Sequence, residues 1–321
     1  MNFRPAILTQ SRRTTLEPAV ENRRRQIGYF FAAVGAVLFS TKAIIVKLAY
    51  GAELDPETLL ALRMGFSLPI YLGIGGFSVA DRWRRDLPLP DLRQWIRALA
   101  VGLLGYWFAS YCDFLGLEYV SAQFERLILF TYPLFVVLLG AAFFGQPARR
   151  RVLVALAISY SGLAVIFAND FSAQGANVVM GASLVLVSSI AFAFYQLLAR
   201  KTIAAMGPQL FTCVAMSGAA FGAFVQFFAG HHAAALVVHG TPLAYTILIA
   251  IGATVIPSFF LNAALHRISA QANSAIGTIS PIVTILLSAA ILGEPLSLPL
   301  VAGAMLVIGG IGWFTLSGRD H

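Results

Sequence analysis

The sequence predicts an all-α integral membrane protein, with ten transmembrane helices forming two inverted five-helix repeats. Three observations lead there: a shortage of charge, a one-sided placement of the basic residues, and self-similarity at a separation of 148 residues.

Only 11% of the 321 residues are Asp, Glu, Lys or Arg, and 59% are apolar. A soluble chain averages about a quarter charged, so there is too little charge here to cover a surface facing water. Long unbroken apolar runs exclude a transmembrane β-barrel, whose strands alternate lumen-facing and lipid-facing residues. At about 20 residues per span, the chain beyond a polar leader holds ten helices with short connections and no separate soluble domain. The leader, residues 1–26, carries six arginines. The apolar run behind it is too long for the core of a signal peptide, so an uncleaved cytoplasmic tail is expected. Cys112 and Cys213 fall inside apolar runs and read as small buried hydrophobes without a disulfide.

Ten spans can be delimited in chain order. Span one is Ile27–Tyr50, beginning behind Arg23–Arg25. Span two, Thr58–Ala80, lies between Pro56 and the basic stretch that starts at Arg82. Span three is Trp95–Leu117 and span four is Tyr119–Gly145. A single helix over both would have 51 residues and overrun the bilayer, so a tight hairpin is expected at Gly116–Tyr119. Span five is Val152–Ala168, directly after Arg149-Arg150-Arg151. Span six, Val178–Ala199, ends at Arg200-Lys201. Span seven is Leu210–Ala229, span eight Leu243–Leu265, span nine Ala270–Gly293 and span ten Leu298–Leu316.

With the leader inside and ten alternating spans, the inner segments, counting Arg97 at the inner edge of span three, hold 18 of the 22 basic residues. The outer loops hold none, and Lys42, Lys47, Arg63 and Arg126 lie within spans. By the positive-inside rule both termini are cytoplasmic, and the +8 formal charge reports membrane orientation rather than affinity for nucleic acid.

A shift of 148 residues lays Ser121-Ala122-Gln123 on Ser269-Ala270-Gln271, Pro133 on Pro281, and Gly145-x-Pro147 on Gly293-x-Pro295. Positions 121–147 give 11 identities in 27 without a gap. The repeats are residues 27–168 and 169–321. Each has five spans, an odd number, so the second copy is upside down. The charges agree: Gly145-Gln146-Pro147 runs into three arginines, and its counterpart Gly293-Glu294-Pro295 into none. Inverted repeats are an architecture of alternating-access carriers, with the solute site near the midplane.

These residues resemble the drug/metabolite transporter superfamily and its EamA-type members: Ser-Ala, Pro, Leu-Leu and Gly-[Gln/Glu]-Pro in both halves, and Pro56…Arg63 in span two. The first repeat departs at Gln146, where the family often has Glu. The resemblance implies a basket of helices around a central cavity with spans five and ten outside it. It also implies export of amino acids or related small metabolites, as in YddG-type amino-acid exporters, from a bacterial inner membrane.

Charges within a bilayer are costly and therefore functional candidates. Here they are Lys42, Lys47, Arg63, Asp113, Glu125 and Arg126, all in the first repeat. At 1.5 Å per residue, Lys42 lies roughly 12 Å from the outer end of its span, and Arg63, Glu125 and Arg126 roughly 10 Å. They form either a positively biased vestibule for a carboxylate or other anion, or an internally paired cluster. Asp113 and Arg126, on opposite arms of the hairpin, are the expected structural ion pair. Lys47 is expected to snorkel. Lys42 is the sharpest candidate for substrate contact, with Glu125 as partner. Glu125 is alternatively a proton carrier, because burial disfavours an ionised carboxylate.

Tyr106, Trp107, Ser110 and Tyr111 on span three, Tyr195 and Gln196 on span six, Ser258, Phe259 and Asn262 on span eight, and Asn273 and Ser280 on span nine form a polar and aromatic set. They are read as lining the cavity or as hydrogen-bonding helix to helix. Pro133 and Pro281 are candidate gating hinges or static kinks. His231, His232 and His239 share one outer loop without a recognised ligand spacing, so no metal is expected, and no cofactor.

No His-Glu-x-x-His, nucleophile elbow or phosphate loop is present, which argues against an enzyme. A passive facilitator, or a carrier of nucleosides, sugars or drugs, remains an alternative reading. The expected partners are a small-molecule substrate and the lipid bilayer, with the chain a monomer.

Overall fold

The computed structural model describes residues 6–145, 150–174, 176–268, 273, 276, 277 and 279–317. Gln146-Pro147, Arg149, Ser269-Ala270-Gln271 and Arg319 lie outside the described residues. Among the described residues, eight helices are long and apolar enough to cross a membrane. They are α1 (Asn22–Gly51), α2 (Pro56–Arg84), α3 (Leu92–Tyr119), α4 (Ala122–Phe144), α5 (Leu153–Phe171), α6 (Asn177–Met206), α7 (Pro208–Gly230) and α8 (Thr241–Arg267). Two shorter apolar helices come after them, α9 (Ile279–Leu292) and α10 (Leu298–Trp313).

Most helices outrun the apolar stretches that predict them. Span six is expected to end at Ala199, but α6 passes Arg200 and Lys201 and stops at Gly207, whose φ is 80°. Backbone hydrogen bonding continues where hydropathy fades, and long basic side chains reach water from a helix end. At the amino end, helical backbone extends back to Ala6 across the expected junction of tail and span, and the first interruption is at Thr41. The hairpin between spans three and four is present, but its turn lies at Val120-Ser121, just beyond the expected Gly116–Tyr119. Val120 is extended, and Ser121 Oγ accepts from Phe124 N at 3.1 Å to start α4 at Ala122.

Local geometry recurs at the 148-residue separation. α3 loosens into π-helical turns over Leu103–Phe108, and α8 does so over Ile251–Val255. Val120 (φ −126°, ψ 159°) matches Ile268 (φ −126°, ψ 161°). Gly145 (φ 64°) and Gly293 (φ 68°) end α4 and α9 in the left-handed region that glycine adopts without strain. The break in α1 at Thr41 is unmatched, since α6 runs unbroken over Asn177–Met206. α4 breaks at Phe130 and Thr131, ahead of Pro133. Pro281 lies in a continuous helix, Ile279–Leu287, that becomes π-helical over Ser288–Leu292.

The helices pair as α1 with α8, α3 with α6, α2 with α7 and α5 with α10, and among the described residues α4 packs chiefly on α6 and α9 on α1. Exchanging one half for the other leaves this scheme unchanged. Small residues permit the closest approaches, as membrane packing requires. A methyl on Gly102 of α3 would lie 1.9 Å from the Ala215 carbonyl oxygen of α7, and one on Gly162 of α5 would lie 2.5 Å from Gly303 O of α10. Both cysteines are free and buried. Outward-facing Phe30, Leu72, Phe77, Phe221 and Met305 are each more than half exposed. An apolar girdle of that extent is stable against lipid tails, not water.

Candidate functional site

Where α1 breaks, two backbone carbonyls turn outward and find side-chain donors. Arg126 of α4 donates through Nη2 to Phe39 O, and Thr284 Oγ1 of α9 donates to Ser40 O at 3.0 Å. Arg126 Nε also donates to Thr284 Oγ1 at 3.1 Å, and Ser40 Oγ donates to Ser280 Oγ at 2.9 Å. An interrupted helix at membrane depth persists only when its freed carbonyls are satisfied in this way. The next residue after the break is Lys42, which the turn aims at α3 and α4.

Lys42 Nζ donates to Asp113 Oδ2 and stands 3.9 Å from Glu125 Oε1. All three side chains are buried. The expected pairing of Asp113 with Arg126 is therefore corrected. Their depth on the hairpin matches, but the Lys42 ammonium enters from α1 and takes Asp113, while Arg126 is directed to the α1 break. The expected contact of Lys42 with Glu125 is present, as the longer of the two ion pairs.

Lys42, Asp113 and Arg126, but not Glu125 behind Lys42, border a cavity of about 110 Å³ between the halves. From the first half it is lined by Ala36, Phe39 and Lys42 of α1, Arg63 of α2, Tyr106, Ser110 and Asp113 of α3, and Arg126, Phe130 and Tyr132 of α4. The second half contributes Ser188, Phe192 and Gln196 of α6, Thr254 and Leu261 of α8, and Asn273 and Ser280 of α9. α5 and α10 contribute nothing to the lining and pack chiefly on each other. Gln196 also lines a second hollow with Arg200 and His266, so the polar space continues toward that end of the molecule.

Among the expected site residues, Lys42, Tyr106, Gln196 and Asn273 line the cavity. Behind Tyr106, the Tyr195 hydroxyl donates to Tyr106 Oη at 3.0 Å and to Asn262 Oδ1 at 3.2 Å, and Asn262 Nδ2 donates to Thr212 Oγ1 at 2.7 Å. Tyr195 and Asn262 thus support the lining rather than form it. Ser258 pairs with the Tyr71 hydroxyl at 2.9 Å. Trp107 and Tyr111 point elsewhere: Trp107 Nε1 donates to Gln226 Oε1 of α7 at 2.8 Å, and Tyr111 Oη donates to Glu57 Oε1 of α2 at 3.1 Å. Arg63, recognised in the sequence as an intramembrane charge but not selected as a site residue, faces the cavity with its guanidinium 4.8 Å from the Phe114 ring centroid.

Two contacts close the end of the molecule nearest the charges. Glu294 Oε1 accepts from Ala122 N at 2.8 Å and Oε2 from Gln123 N at 3.2 Å, so the Gly-Glu-Pro turn of one half caps the Ser-Ala-Gln helix start of the other. His231, after α7, lies 3.6 Å from Asp55 Oδ1 and 3.4 Å from Glu57 Oε2. Asp55 already caps α2 through Thr58 N, and Glu57 already accepts from Tyr111. The trio links α2 to α7, and His232 and His239 take no part in it.

The sequence signature of the EamA-like transporter family matches this chain twice, over residues 26–168 and 179–316. An uncharacterized transporter of Bacillus subtilis, YcbK, is 31% identical over 318 residues, spanning 93% of this chain and 94% of that protein. An uncharacterized transporter of Archaeoglobus fulgidus is 25% identical over 259 residues, spanning 80% of this chain and 88% of its own. A solved crystal structure superposes with a TM-score of 0.63 at 18% identity, over 91% of this chain and 97% of that one, which concerns the fold alone. The chain belongs to the EamA-like transporter family, and it is a multi-pass membrane transporter.

Proposed function

We propose that this transporter is a secondary carrier exporting amino acids or related small metabolites across a bacterial inner membrane by alternating access. The observation that carries the reading is the placement of the cavity: helices from both halves line it, and its charged groups gather around one break in α1. A carrier needs a solute site that both halves share, so that rocking one half against the other exposes it to each side in turn.

The halves are inverted on this reading, residues 27–168 against 169–321, with both termini cytoplasmic. Support comes from the 148-residue recurrence of the π-helical turns and glycine caps, from a pairing scheme unchanged by exchange, and from basic residues confined to alternate connections. The Glu294 cap then lies on the periplasmic side, and the hollow beside Arg200 and His266 on the cytoplasmic side. Pro133, which comes just after the break in α4, serves as a hinge, with Pro281 as its counterpart. The working unit is the monomer.

The test is counterflow in proteoliposomes of the purified chain. Saturable exchange of a labelled amino acid supports a carrier. Flux that rises linearly with concentration and shows no exchange supports a passive facilitator instead. Glu125 sits at the charge cluster with both carboxylate oxygens lacking a hydrogen-bond partner, which is the environment of a proton carrier. Glu125→Gln is expected to abolish the proton dependence of flux, and an unchanged pH response would remove Glu125 from coupling.

A further inference from the structure

The buried charges around the cavity do not balance. Lys42, Arg63 and Arg126 are cationic, whereas Asp113 and Glu125 are the carboxylates, and both carboxylates face the Lys42 ammonium. Arg126 is engaged by Phe39 O and Thr284. Arg63 stands apart. It is 3% exposed, takes part in no ion pair among the described residues, and leaves Nε and Nη2 without a hydrogen-bond partner. Its neighbour is the face of Phe114, which attracts the cation but accepts no N–H in the guanidinium plane.

An unpaired guanidinium at membrane depth is expensive, and such a group persists when it serves a ligand. The two free donors belong to one edge of the guanidinium: Nε–H and the adjacent Nη2–H point the same way and match the two oxygens of a carboxylate. Arg63 is one of the residues that line the cavity. One acceptor there, Asn273 Oδ1, on a residue that is 6% exposed, has no partner among the described residues. A carboxylate and a hydrogen-bond donor on one small solute would satisfy the two donors and this acceptor.

We infer that the transported solute bears a carboxylate and that Arg63 is its anchor, binding it side-on through Nε and Nη2. The inference rests on the carrier reading for its biological meaning, but the chemistry of recognition is separable from flux. Arg63 is a specificity-determining residue: sugars and nucleosides, which lack a carboxylate, leave its free edge buried and unpaired.

The test measures thermal stabilisation and affinity of the full chain in detergent with proteinogenic amino acids, each beside its carboxamide: leucine with leucinamide, phenylalanine with phenylalaninamide. At least one acid is expected to raise Tm while its amide does not, in the wild-type chain and without any substitution. Arg63→Gln is expected to weaken that acid roughly 10- to 100-fold, the range of a charge-assisted hydrogen bond, and Arg63→Lys to retain an intermediate affinity. Amides that bind as well as their acids, an Arg63→Gln chain with undiminished affinity, or a panel in which no acid binds would each overturn the assignment. Counterflow of a neutral sugar or nucleoside would also overturn it and leave the carrier reading standing. An acid that binds with the expected acid–amide difference but is never exchanged would sink the carrier reading and leave Arg63 as the anchor.

Discussion

At positions 148 residues apart, the first half carries Asp113, Glu125 and Arg126 where the second carries Leu261, Asn273 and Ser274, and Lys42 and Arg63 have no charged counterpart within spans six and seven. The backbones at corresponding places agree closely, in the π-helical turns, the extended turn residues and the left-handed glycine caps. One half has a charged lining and the other presents amides, hydroxyls and apolar groups on the same scaffold. The scaffold therefore does not depend on the charges. They were placed, or kept, in one copy for what they do in the cavity, and the neutral copy shows which residues satisfy the fold alone.

The largest expected effect tests that separation. Asp113→Asn leaves the buried Lys42 ammonium with the Glu125 carboxylate at 3.9 Å as its remaining counter-charge. Breaking one side of a buried pair is expected to cost about 3 kcal/mol, read as a lowered unfolding temperature in micelles. Lys42→Ile with Asp113→Leu removes both charges of the pair and is expected to recover most of that loss while abolishing transport. A double variant no more stable than the single one would break the comparison.

Next in size is Gly102→Ala. The corresponding position in the second half is Ala250, fully buried with its methyl accommodated, whereas at Gly102 a methyl would meet the Ala215 carbonyl oxygen at 1.9 Å. Overpacking against backbone is expected to cost about 1–3 kcal/mol, more than Ala250→Gly, with thermal denaturation of both chains as the measurement. Equal effects would mean that the halves do not share the packing that their sequences align.

The smallest effect sharpens the comparison at the seam. Glu294 caps α4 with a charged carboxylate, whereas the first half has Gln146 in the matching turn. Glu294→Gln is expected to remove about 1 kcal/mol, the value of a charge at a helix start. It should also raise the accessibility of a thiol placed near Ala122 to a membrane-impermeant reagent. No change in either would deny the cap a part in closing that end.

Much of the molecule is readable in its residues. Ten apolar segments, a tight hairpin between the third and fourth, and the cluster of Lys42 and Glu125 all derive from hydropathy, length and depth, although the hairpin's turn lies at Val120-Ser121 rather than Gly116–Tyr119. Polarity selects residues but not the face of the helix they occupy. Tyr106, Ala109, Ser110 and Asp113 follow i, i+3, i+4, i+7 spacing and line the cavity. Trp107 and Tyr111 lie about 100° or more around α3 from that face, and they meet α7 and α2 instead. Depth alone pairs Asp113 with Arg126, and depth says nothing about a group entering from a third helix. The contact of Glu294 with Ala122 and Gln123 joins two motifs that the sequence displays as repeats but not as partners.

Composition and periodicity determined the membrane class, the number of spans, the duplication and the depth of each buried charge, because the bilayer acts on every residue independently through transfer free energy. The tertiary structure alone decided which way each helix is rotated, that Arg126 and Thr284 hold the break in α1, and that Arg63 is the cation left without a partner. Rotation and pairing depend on neighbours distant in the chain, where close packing and the short reach of hydrogen bonds select one arrangement among several of equal hydropathy.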